Sequence, residues 1–333
     1  MAELPPDRRL PDEFSLIEKY FAPLASKAPG AYALGDDAAS FMPTPGMELV
    51  MTVDAIVEGV HFLPDDPPHD IARKLLRVNL SDLAAKGARP LGYLLTTAWT
   101  RDTTVEWIAD FAGGLATDQE KFGIALWGGD TVSTPGPLSF SLTAIGEVRQ
   151  GAMLRRSGAQ LGDDLYVTGT IGDSALGLAV AQGRLSIPLH DAKMLLERYL
   201  VPQPRVVFGQ ALVGLAHGAL DVSDGLMADL GHLCACSKLG ARVEVARVPV
   251  SEGAQECLDV SPIWLETILT GGDDYELLFT ASPSAAHHID SAALQINLRV
   301  TRIGKLVDAA EGIAAVDAHG RAFSFKQTGF RHF

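Results

Sequence analysis

Residues 103–130, TTVEWIADFAGGLATDQEKFGIALWGGD, predict a helix followed directly by a strand. Apolar residues recur at helical spacing, Thr103 and Glu106 have the spacing of a capping box, and Gly123 is placed to end the helix. The short apolar run IALW then predicts a buried strand with Asp130 at its carboxyl end. Sheets of α/β proteins bind ligands at that edge.

The second half of the chain repeats this pattern. Residues 165–168 predict a strand, residues 174–182 a helix, and residues 226–238 a further helix directly after Asp221 and its neighbours. Alternating strands and helices in both halves predict an α/β protein. At 333 residues, the chain is long enough for two domains, which we place at residues 1–150 and 151–333 because apolar patterning breaks near residues 149–162.

Composition excludes several classes of protein. A net charge of −14 leaves no basic surface for nucleic acid or for an anionic membrane. No uncharged apolar run reaches the ~18 residues that a membrane span needs, and residues 1–14 do not have the pattern of a signal peptide. Cys234, Cys236 and Cys257 lack the spacing of a zinc site or disulfide framework, so we expect buried free thiols. These features predict a cytoplasmic protein.

Aspartates beside small residues are scattered along the whole chain. Small neighbours let a carboxylate and its backbone approach a ligand closely, and gathered carboxylates repel one another unless cations lie between them. Such groups suit hard divalent cations, which in turn suit phosphates. Singly, each aspartate is typical of a turn or a helix cap. The set comprises Asp37, Asp54, Asp82, Asp130, Asp221, Asp224 and Asp273.

Asp82 gives the sharpest local argument. Residues 70–86 predict a helix with Asp70 as its N-cap and Gly87 after its end. Helical spacing turns Asp82 away from the strip that we expect to be solvated, and therefore into protein. Metal coordination and a buried ion pair with an Arg or Lys both remain open for it. The expected solvated strip consists of Arg73, Lys74, Arg77 and Ser81.

Familiar phosphate-binding loops are missing, since neither a Walker-type nor a Rossmann-type glycine pattern occurs. Residues 169–173, GTIGD, precede a predicted helix and could cradle a phosphate at its amino end, or form only a tight turn. Asp224 could likewise face a ligand together with Asp221, or cap the helix that follows it.

The motifs, taken in order, resemble the thiamine-monophosphate kinase family. The resemblance spans nearly the whole chain and implies two α/β domains of the aminoimidazole-ribonucleotide synthetase type, with the N-domain sheet forming the interface of a homodimer. The matching motifs are GDDAA at 35–39, DAIVEGVHF at 54–62, NLSDLAAKGA at 79–88, GGDT at 128–131, LRRSGA at 154–159, DVSDGL at 221–226, GGDDYEL at 271–277 and GFRHF at 329–333.

The resemblance also implies site residues. Val53 stands where the family usually has Thr, so a ligand there must be the backbone carbonyl, and Asp273 stands where many members have Glu. Taken alone, His61 favours a core histidine and Arg156 a surface cation. The implied metal ligands are Asp37, Thr52, Val53, Asp54, Asp82, Asp130, Asp221 and Asp224; the implied ATP contacts are Gly129, Asp130, Arg156 and Ser223; the implied substrate contacts are His61, Asp273 and Phe330.

The implied reaction is the phosphorylation of thiamine monophosphate by ATP. Its nucleophile is an ionised phosphate oxygen, so we expect no general base, several Mg²⁺ ions and direct in-line transfer. Two rivals stay open. Another ATP-dependent synthetase of the superfamily would release phosphate with a different acceptor, and a non-catalytic regulator would bind nucleotide and metal without turnover.

Overall fold

The computed structural model describes residues 12–330. The predictions for residues 1–11, and for Arg331, His332 and Phe333 of the closing motif, lie outside the described residues. Two compact units divide the chain, Met1–Leu83 with Arg89–Gln150 and Ala84–Ala88 with Gly151–Phe333. In the described part of the chain, no helix has the length and apolar character to cross a membrane.

The first unit is built on a four-stranded sheet in the order β1-β4-β2-β3. Strand β4 runs antiparallel to both β1 and β2, whereas β2 and β3 are parallel. The strands are β1 (Met47–Val57), β2 (Arg89–Trp99), β3 (Ala125–Ser133) and β4 (Ser139–Arg149), and the helices are α1 (Glu13–Leu16), α2 (Pro68–Ala85) and α3 (Val105–Phe122).

Helix α3 and strand β3 follow the predicted order with two corrections. Thr104, not Thr103, is the N-cap, because its hydroxyl accepts from the Trp107 N–H at 3.2 Å. Gly123 ends the helix in the left-handed conformation, as predicted. Strand β3 continues to Ser133, so Asp130 lies within the strand rather than at its end. Pairing with β2 carries the strand past its apolar start.

Helix α2 is buried almost all round, and the predicted solvated strip is wrong. Lys74 is 3% exposed, and Arg77 and Ser81 are fully buried. Arg77 forms a two-pronged ion pair with Asp118 of α3, at 2.5 and 2.8 Å. The helix also begins at Pro68, so Asp70 lies in its first turn and is not its N-cap.

The second unit contains a six-stranded mixed sheet in the order β10-β7-β9-β5-β8-β6. Its strands are β5 (Asp164–Thr168), β6 (Gly218–Asp221), β7 (Gly240–Glu244), β8 (Leu277–Ala281), β9 (Val300–Val307) and β10 (Ile313–Val316). Its helices are α4 (Asp173–Ala181), α5 (Leu189–Leu200), α6 (Val206–Ala211), α7 (Leu226–Ser237), α8 (Glu252–Val260), α9 (Trp264–Thr270) and α10 (Ala286–Gln295). The predicted strand at 165–168 and helices at 174–182 and 226–238 are confirmed to within one residue at each end, and the α/β class holds in both units.

A single apolar core joins one face of this second sheet to five helices. It combines Val167 and Leu278 from the strands with Leu176 of α4 and Leu230 of α7. Cys234 and Cys257 belong to this core, and burial raises the pKa of the Cys234 thiol to about 11. Cys236 is exposed, contrary to the prediction that all three thiols are buried.

Candidate functional site

Strand β1 and helix α2 bring three predicted metal ligands together. The Thr52 hydroxyl donates to the Asp82 carboxylate. Asp54 lies two residues further along the same strand and therefore on the same face of the sheet. Asn79 fastens the two elements, because its side-chain oxygen accepts from the Asp54 N–H at 3.1 Å and its amide nitrogen donates to the Leu75 carbonyl. The Asp82 side chain therefore points toward β1, in agreement with the prediction that it faces protein. It is half-buried and not fully enclosed.

The two carboxylates affect each other electrostatically. Burial, and next to it the charge of Asp82, raises the pKa of Asp54 to about 6. Each effect disfavours the ionised form of Asp54. A divalent cation between the two groups would reverse both effects, so the pair has the chemistry of a site for a hard cation.

Strand β3 carries a second group. Gly129 and Asp130 line a cavity in the first unit together with Asp36 and Asp37, and Trp127 contributes to its apolar wall. At Gly129 a side chain is excluded by packing, because an added Cβ would lie 1.8 Å from the Leu95 carbonyl oxygen on β2. The glycine therefore permits close pairing of two strands, and its implied contact with ATP stays a prediction.

Sheet register separates these two groups. Asp54 on β1 lies opposite Leu142 on β4, which lies opposite Leu95 on β2, which lies opposite Gly129 on β3. Three strand spacings of about 4.8 Å thus separate the backbones of Asp54 and Gly129, or about 14 Å in all. Asp130 follows in the next row.

His61 and Val53 also lie in this unit. The imidazole Nδ1 of His61 accepts from the Val57 N–H at 3.1 Å in the turn after β1. Because Nδ1 is the acceptor, a neutral His61 carries its proton on Nε2. Only the neighbouring Phe62 enters the aromatic core, whereas His61 is half-buried. The Val53 side chain is exposed on the opposite face of the sheet from Asp54. The ligand predicted there is the backbone carbonyl of Val53, and that stays a prediction.

The loop between β6 and α7 is held from within the second unit. The carboxylate of Asp229 accepts from the N–H groups of Ser223, Asp224 and Gly225, at 3.0, 3.0 and 3.1 Å. The alternative in which Asp224 caps α7 is wrong, since Gly225 occupies that position without a side-chain cap and Asp229 binds the loop instead. Burial raises the pKa of Asp229 to about 7 in spite of its three donors.

Two other predicted contacts converge on this loop. The Asp273 N–H donates to the Ser223 carbonyl at 2.8 Å, and the Phe330 N–H donates to the Asp224 carbonyl at 2.9 Å. Gly329 allows the second contact, because a Cβ there would lie 2.7 Å from the Asp224 oxygen. Ser223, Asp224, Asp273 and Phe330 are therefore neighbours, and Asp221 ends the adjacent strand.

Arg156 lies at the other end of helix α7. Its backbone carbonyl accepts from the Ser237 hydroxyl at 2.8 Å, and its side chain is exposed. Ser237 is the last residue of a 12-residue helix that begins directly after Gly225. At 1.5 Å per residue, about 18 Å separate the two ends. The backbone of Arg156 is therefore not gathered with Ser223.

The turn at residues 169–173 is not an open phosphate cradle. The carboxylate of Asp274 accepts from the Gly172 N–H at 2.8 Å and lies 3.5 Å from the Ser174 nitrogen. An internal carboxylate thus fills the amino end of α4, and the tight-turn interpretation is the correct one.

Sequence reasoning assigned no role to four residues on which the site depends: Asn79, Asp229, Asp274 and Glu276. One local signal existed, because an acidic residue in the first turns of a helix is typical of a group that binds nearby N–H donors. That signal points to Asp229. The bonds that join Asn79, Asp274 and Glu276 to other elements span 25 or more residues along the chain.

Comparisons with known proteins agree over nearly the whole chain. The family model described as AIR synthase related protein, N-terminal domain, matches residues 35–148, and the model of the C-terminal domain matches residues 160–317. The thiamine-monophosphate kinase of Caulobacter vibrioides is 43% identical over 326 residues, which cover 97% of this chain and 91% of that protein. This chain belongs to the thiamine-monophosphate kinase family.

Two solved structures of thiamine-monophosphate kinases extend the likeness to three dimensions. The enzyme from Stenotrophomonas maltophilia superposes with a TM-score of 0.84 at 41% identity, covering 94% of this chain and 98% of that one. AaThiL, complexed with AMPPCP and TMP, gives a TM-score of 0.77 at 29% identity, covering 96% of this chain and 97% of that one. The fold predicted from the motifs, two domains of the AIR synthase type, is confirmed.

In this thiamine-monophosphate kinase family member the predicted site residues fall in both units. That the two sets form one site stays a prediction. The first unit carries Asp37, Thr52, Val53, Asp54, His61, Asp82, Gly129 and Asp130, and the second carries Arg156, Asp221, Ser223, Asp224, Asp273 and Phe330.

Proposed function

We propose that the chain transfers the γ-phosphoryl group of ATP to thiamine monophosphate, giving thiamine diphosphate, in a Mg²⁺-dependent reaction. Family membership supports the overall reaction, and the AaThiL complex supports the pair of ligands. The observation that carries the metal requirement is the Asp54–Asp82 pair, in which burial and a neighbouring charge raise the pKa of Asp54 to about 6.

The donor set fits Mg²⁺ rather than a softer metal. Carboxylates and a hydroxyl are the oxygen ligands that this ion prefers, and the described candidate ligands include neither a thiol nor a histidine in the β1–α2 group. When bound, Mg²⁺ would screen the charges of the phosphates and orient them. Asp54, Asp82 and Thr52 would hold one ion, and Asp130 with Asp37 another, because about 14 Å of sheet separates the two groups.

The residues of the chain have to bind cations and position the two phosphates, and none has to act as a general base. Two unit charges at ~4 Å repel by about 4 kcal/mol at an effective dielectric constant of 20, and several such pairs form as the two phosphates approach. The acceptor oxygen is already ionised near neutral pH, so no side chain has to remove a proton. Asp221, Asp224 and the carboxylates of the first unit would supply the cation-binding groups, while Ser223, Gly129 and Arg156 would contact ATP. We therefore propose direct in-line transfer without a phosphoenzyme.

The acceptor is bound by groups that match thiamine. The thiazolium ring is a cation, and the carboxylate of Asp273 complements it. Nε2 of His61 is a hydrogen-bond donor in the tautomer that the Val57 N–H selects, and Phe330 offers an aromatic face. These assignments, a homodimer joined through the first sheet and a cytoplasmic location are parts of the same proposal.

One experiment tests the reaction and its metal requirement. Purified protein is incubated with ATP and thiamine monophosphate, with Mg²⁺ or with EDTA, and the product is identified by mass. Thiamine diphosphate should form only with Mg²⁺, and Asp82→Asn should lower turnover by about 100-fold or more, since a metal-holding carboxylate is lost. Asp65→Asn, in an exposed turn of the same unit, is the matched control. Release of phosphate without thiamine diphosphate would favour the synthetase rival, and ATP binding without turnover the regulator.

The stereochemistry at phosphorus tests the in-line step. With ATP made chiral at the γ-phosphorus, a single in-line transfer inverts the configuration, whereas a phosphoenzyme gives two inversions and net retention. Inversion is the expected result. Retention would exclude the proposed mechanism and leave the overall reaction standing.

A further inference from the structure

The loop at residues 271–276 contains two strained residues. Asp273 has φ +71° and Tyr275 has φ +51°, the left-handed region that bulky residues rarely adopt. This conformation is unfavourable for a side chain such as that of Tyr275 and less so for an aspartate, and it persists only where surrounding contacts impose it. The loop joins α9 to β8 and presents Asp273, the proposed contact of the acceptor.

Asp274 supplies the first of these contacts. It is 1% exposed, and its carboxylate accepts from the Gly172 N–H at the amino end of α4. Burial raises the pKa of Asp274 well above its usual range, although the bond from the Gly172 N–H works in the opposite direction. No space is left beside the turn, because a Cβ on Gly172 would lie 2.6 Å from the backbone of Ile268.

Glu276 supplies the second contact. Its fully buried carboxylate accepts from the Thr168 hydroxyl at 2.7 Å, from Arg198 at 2.7 Å and from Nε of Arg205 at 2.6 Å. These cations hold the pKa of Glu276 below its usual range in spite of its burial. Removing this carboxylate would leave two cations without their partner, so it is a poor choice for a test of position alone.

Backbone hydrogen bonds hold the loop in addition to the buried side chains of Asp274 and Glu276. The N–H groups of Asp273 and Tyr275 donate to the carbonyls of Ser223 and Val222, both at 2.8 Å, and the Val222 N–H donates to the Glu276 carbonyl at 2.8 Å. The Tyr275 hydroxyl lies 3.3 Å from Oδ1 of Asp273. The loop is therefore joined to the backbone of the β6–α7 loop on one side and to α4 on the other.

We propose that Asp274 is a positioning residue for the phosphoryl acceptor: its bond to the amino end of α4 holds Asp273 in its strained conformation, with the carboxylate placed for a cationic ring. This inference rests on the proposed function, which assigns Asp273 to the acceptor. Asp274 itself is buried and does not touch the substrate.

Two substitutions at the amino end of α4 separate positioning from stability. Asp274→Ala removes the anchor of the loop. Asp173→Ala is the matched control, because Asp173 is 2% exposed, starts the same helix and bonds to Thr170 and Ser251 instead of to the 271–276 loop. Both changes should lower the unfolding temperature. Only Asp274→Ala should raise KM for thiamine monophosphate, by about tenfold or more, the equivalent of one strong hydrogen bond.

The other kinetic constants give the discriminating readout. With Asp274→Ala, kcat and KM for ATP should stay within about threefold of the wild type, and Asp274→Asn, whose amide oxygen can accept from Gly172, should restore most of the affinity for the acceptor. Amide hydrogen exchange adds a readout without substrate: the Asp273 and Tyr275 amides should exchange faster in Asp274→Ala and unchanged in Asp173→Ala.

Several results would overturn the inference. Unchanged amide exchange at Asp273 and Tyr275 in Asp274→Ala would overturn it, whatever the kinetic constants are. An equal rise in KM for thiamine monophosphate in the Asp173→Ala control would also overturn it. A wild-type protein that forms no thiamine diphosphate would overturn the proposed function, and the role toward the acceptor with it. If Asp274→Ala fails to fold, Asp274→Leu, which has a similar size but no acceptor oxygen, takes its place, with Asp274→Asn as the rescue variant. A raised KM for thiamine monophosphate in Asp274→Leu that Asp274→Asn does not share would support positioning. A KM and an exchange pattern like those of wild type in Asp274→Leu would overturn the inference.

Discussion

At the scale of single residues, the hydrogen bond from the Val57 N–H to Nδ1 of His61 decides what the imidazole can offer. A neutral ring with Nδ1 as acceptor has its proton on Nε2, so it presents a donor to any ligand. The side-chain amide of glutamine can place a nitrogen near the position of Nε2, whereas asparagine reaches only as far as Nδ1.

This geometry leads to a prediction for His61. His61→Gln should keep KM for thiamine monophosphate within about threefold of wild type, while His61→Asn should raise it about tenfold, the cost of one lost hydrogen bond. Steady-state kinetics at saturating ATP measures both. Equal losses in the two variants would show that Nε2 is not the contacting atom, and an unchanged His61→Asn would remove His61 from the acceptor site.

The raised pKa of Asp54 predicts how pH and Mg²⁺ affect stability. The carboxyl titrates at about 6 in the folded chain and near 4 when unfolded, so the folded protein holds the extra proton between these values. Stability of the metal-free protein should therefore fall as pH rises from about 4 to about 6. Because Mg²⁺ binds the ionised form, it should raise the unfolding temperature more at pH 7.5 than at pH 5.

Thermal unfolding with Mg²⁺ and with EDTA at these two pH values measures the effect. Asp54→Asn should abolish the part of the fall in unfolding temperature between pH 4 and 6 that is due to Asp54. It should also abolish most of the rise in unfolding temperature that Mg²⁺ causes. Asp65→Asn should leave both in place. A Mg²⁺ gain that is independent of pH in the wild-type protein would contradict the assignment of Asp54 as a ligand.

At the scale of elements, helix α2 shows why a buried cation was mistaken for a solvated one. Sequence spacing placed Arg77 on a polar strip, but its partner Asp118 is 41 residues away on α3, and both are fully buried. Helices with local signals, such as α3 and α7, were predicted to within one or two residues. Caps, glycines and apolar spacing are local properties, whereas the partner of a buried charge is set by how elements pack.

The same limit applies to the candidate site. Asp54 and Asp82 could be predicted as metal ligands from the sequence, because cation binding explains several aspartates beside small residues at once. The contact between Asp274 and the Gly172 N–H spans 102 residues, and nothing near GTIGD shows that an internal carboxylate fills the turn. Packing likewise explains the missing side chain of Gly129, which serves the pairing of β2 with β3, a contact that the residues around Gly129 in the sequence do not reveal.

The buried Arg77–Asp118 ion pair should make a large contribution to stability that depends on both partners. Arg77→Ala leaves a buried carboxylate without its main partner and should lower the free energy of unfolding by about 3–5 kcal/mol, whereas Arg77→Met with Asp118→Leu should recover most of it. Urea unfolding followed by tryptophan fluorescence reports mainly on the first unit, which holds Trp99, Trp107 and Trp127, whereas the second unit holds Trp264. Trp99 packs against Phe111 of α3. Arg302→Ala, which breaks a more exposed pair with Asp164, should cost about 1 kcal/mol or less.

A loss of less than about 1 kcal/mol in Arg77→Ala would show that water reaches Asp118 in the variant. A double variant as unstable as the single one would show that the helices need the ion pair for their packing and not only for charge balance.

For the whole molecule, the acidic composition and the apolar outer face of the first sheet must be explained together. A chain with a net charge of −14 repels its own copies at long range, yet this face exposes large apolar side chains on β1, β2 and β3. Exposed apolar patches of this kind mark interaction sites. Its members are Leu49, Met51, Val53, Leu94 and Val132.

We expect this face to join two copies of the chain, and Met51, which is 67% exposed at its centre, is the residue to change. Met51→Glu places a charge within the proposed interface, where it would be buried without a partner, so the variant should have the mass of one chain while wild type has that of two. Light scattering after size-exclusion chromatography measures the mass. Leu294→Glu, at a leucine on α10 that is 81% exposed, is the control and should leave the dimer intact. A dimeric Met51→Glu, or a monomeric wild type, would place the contact elsewhere and leave this apolar face to a different partner.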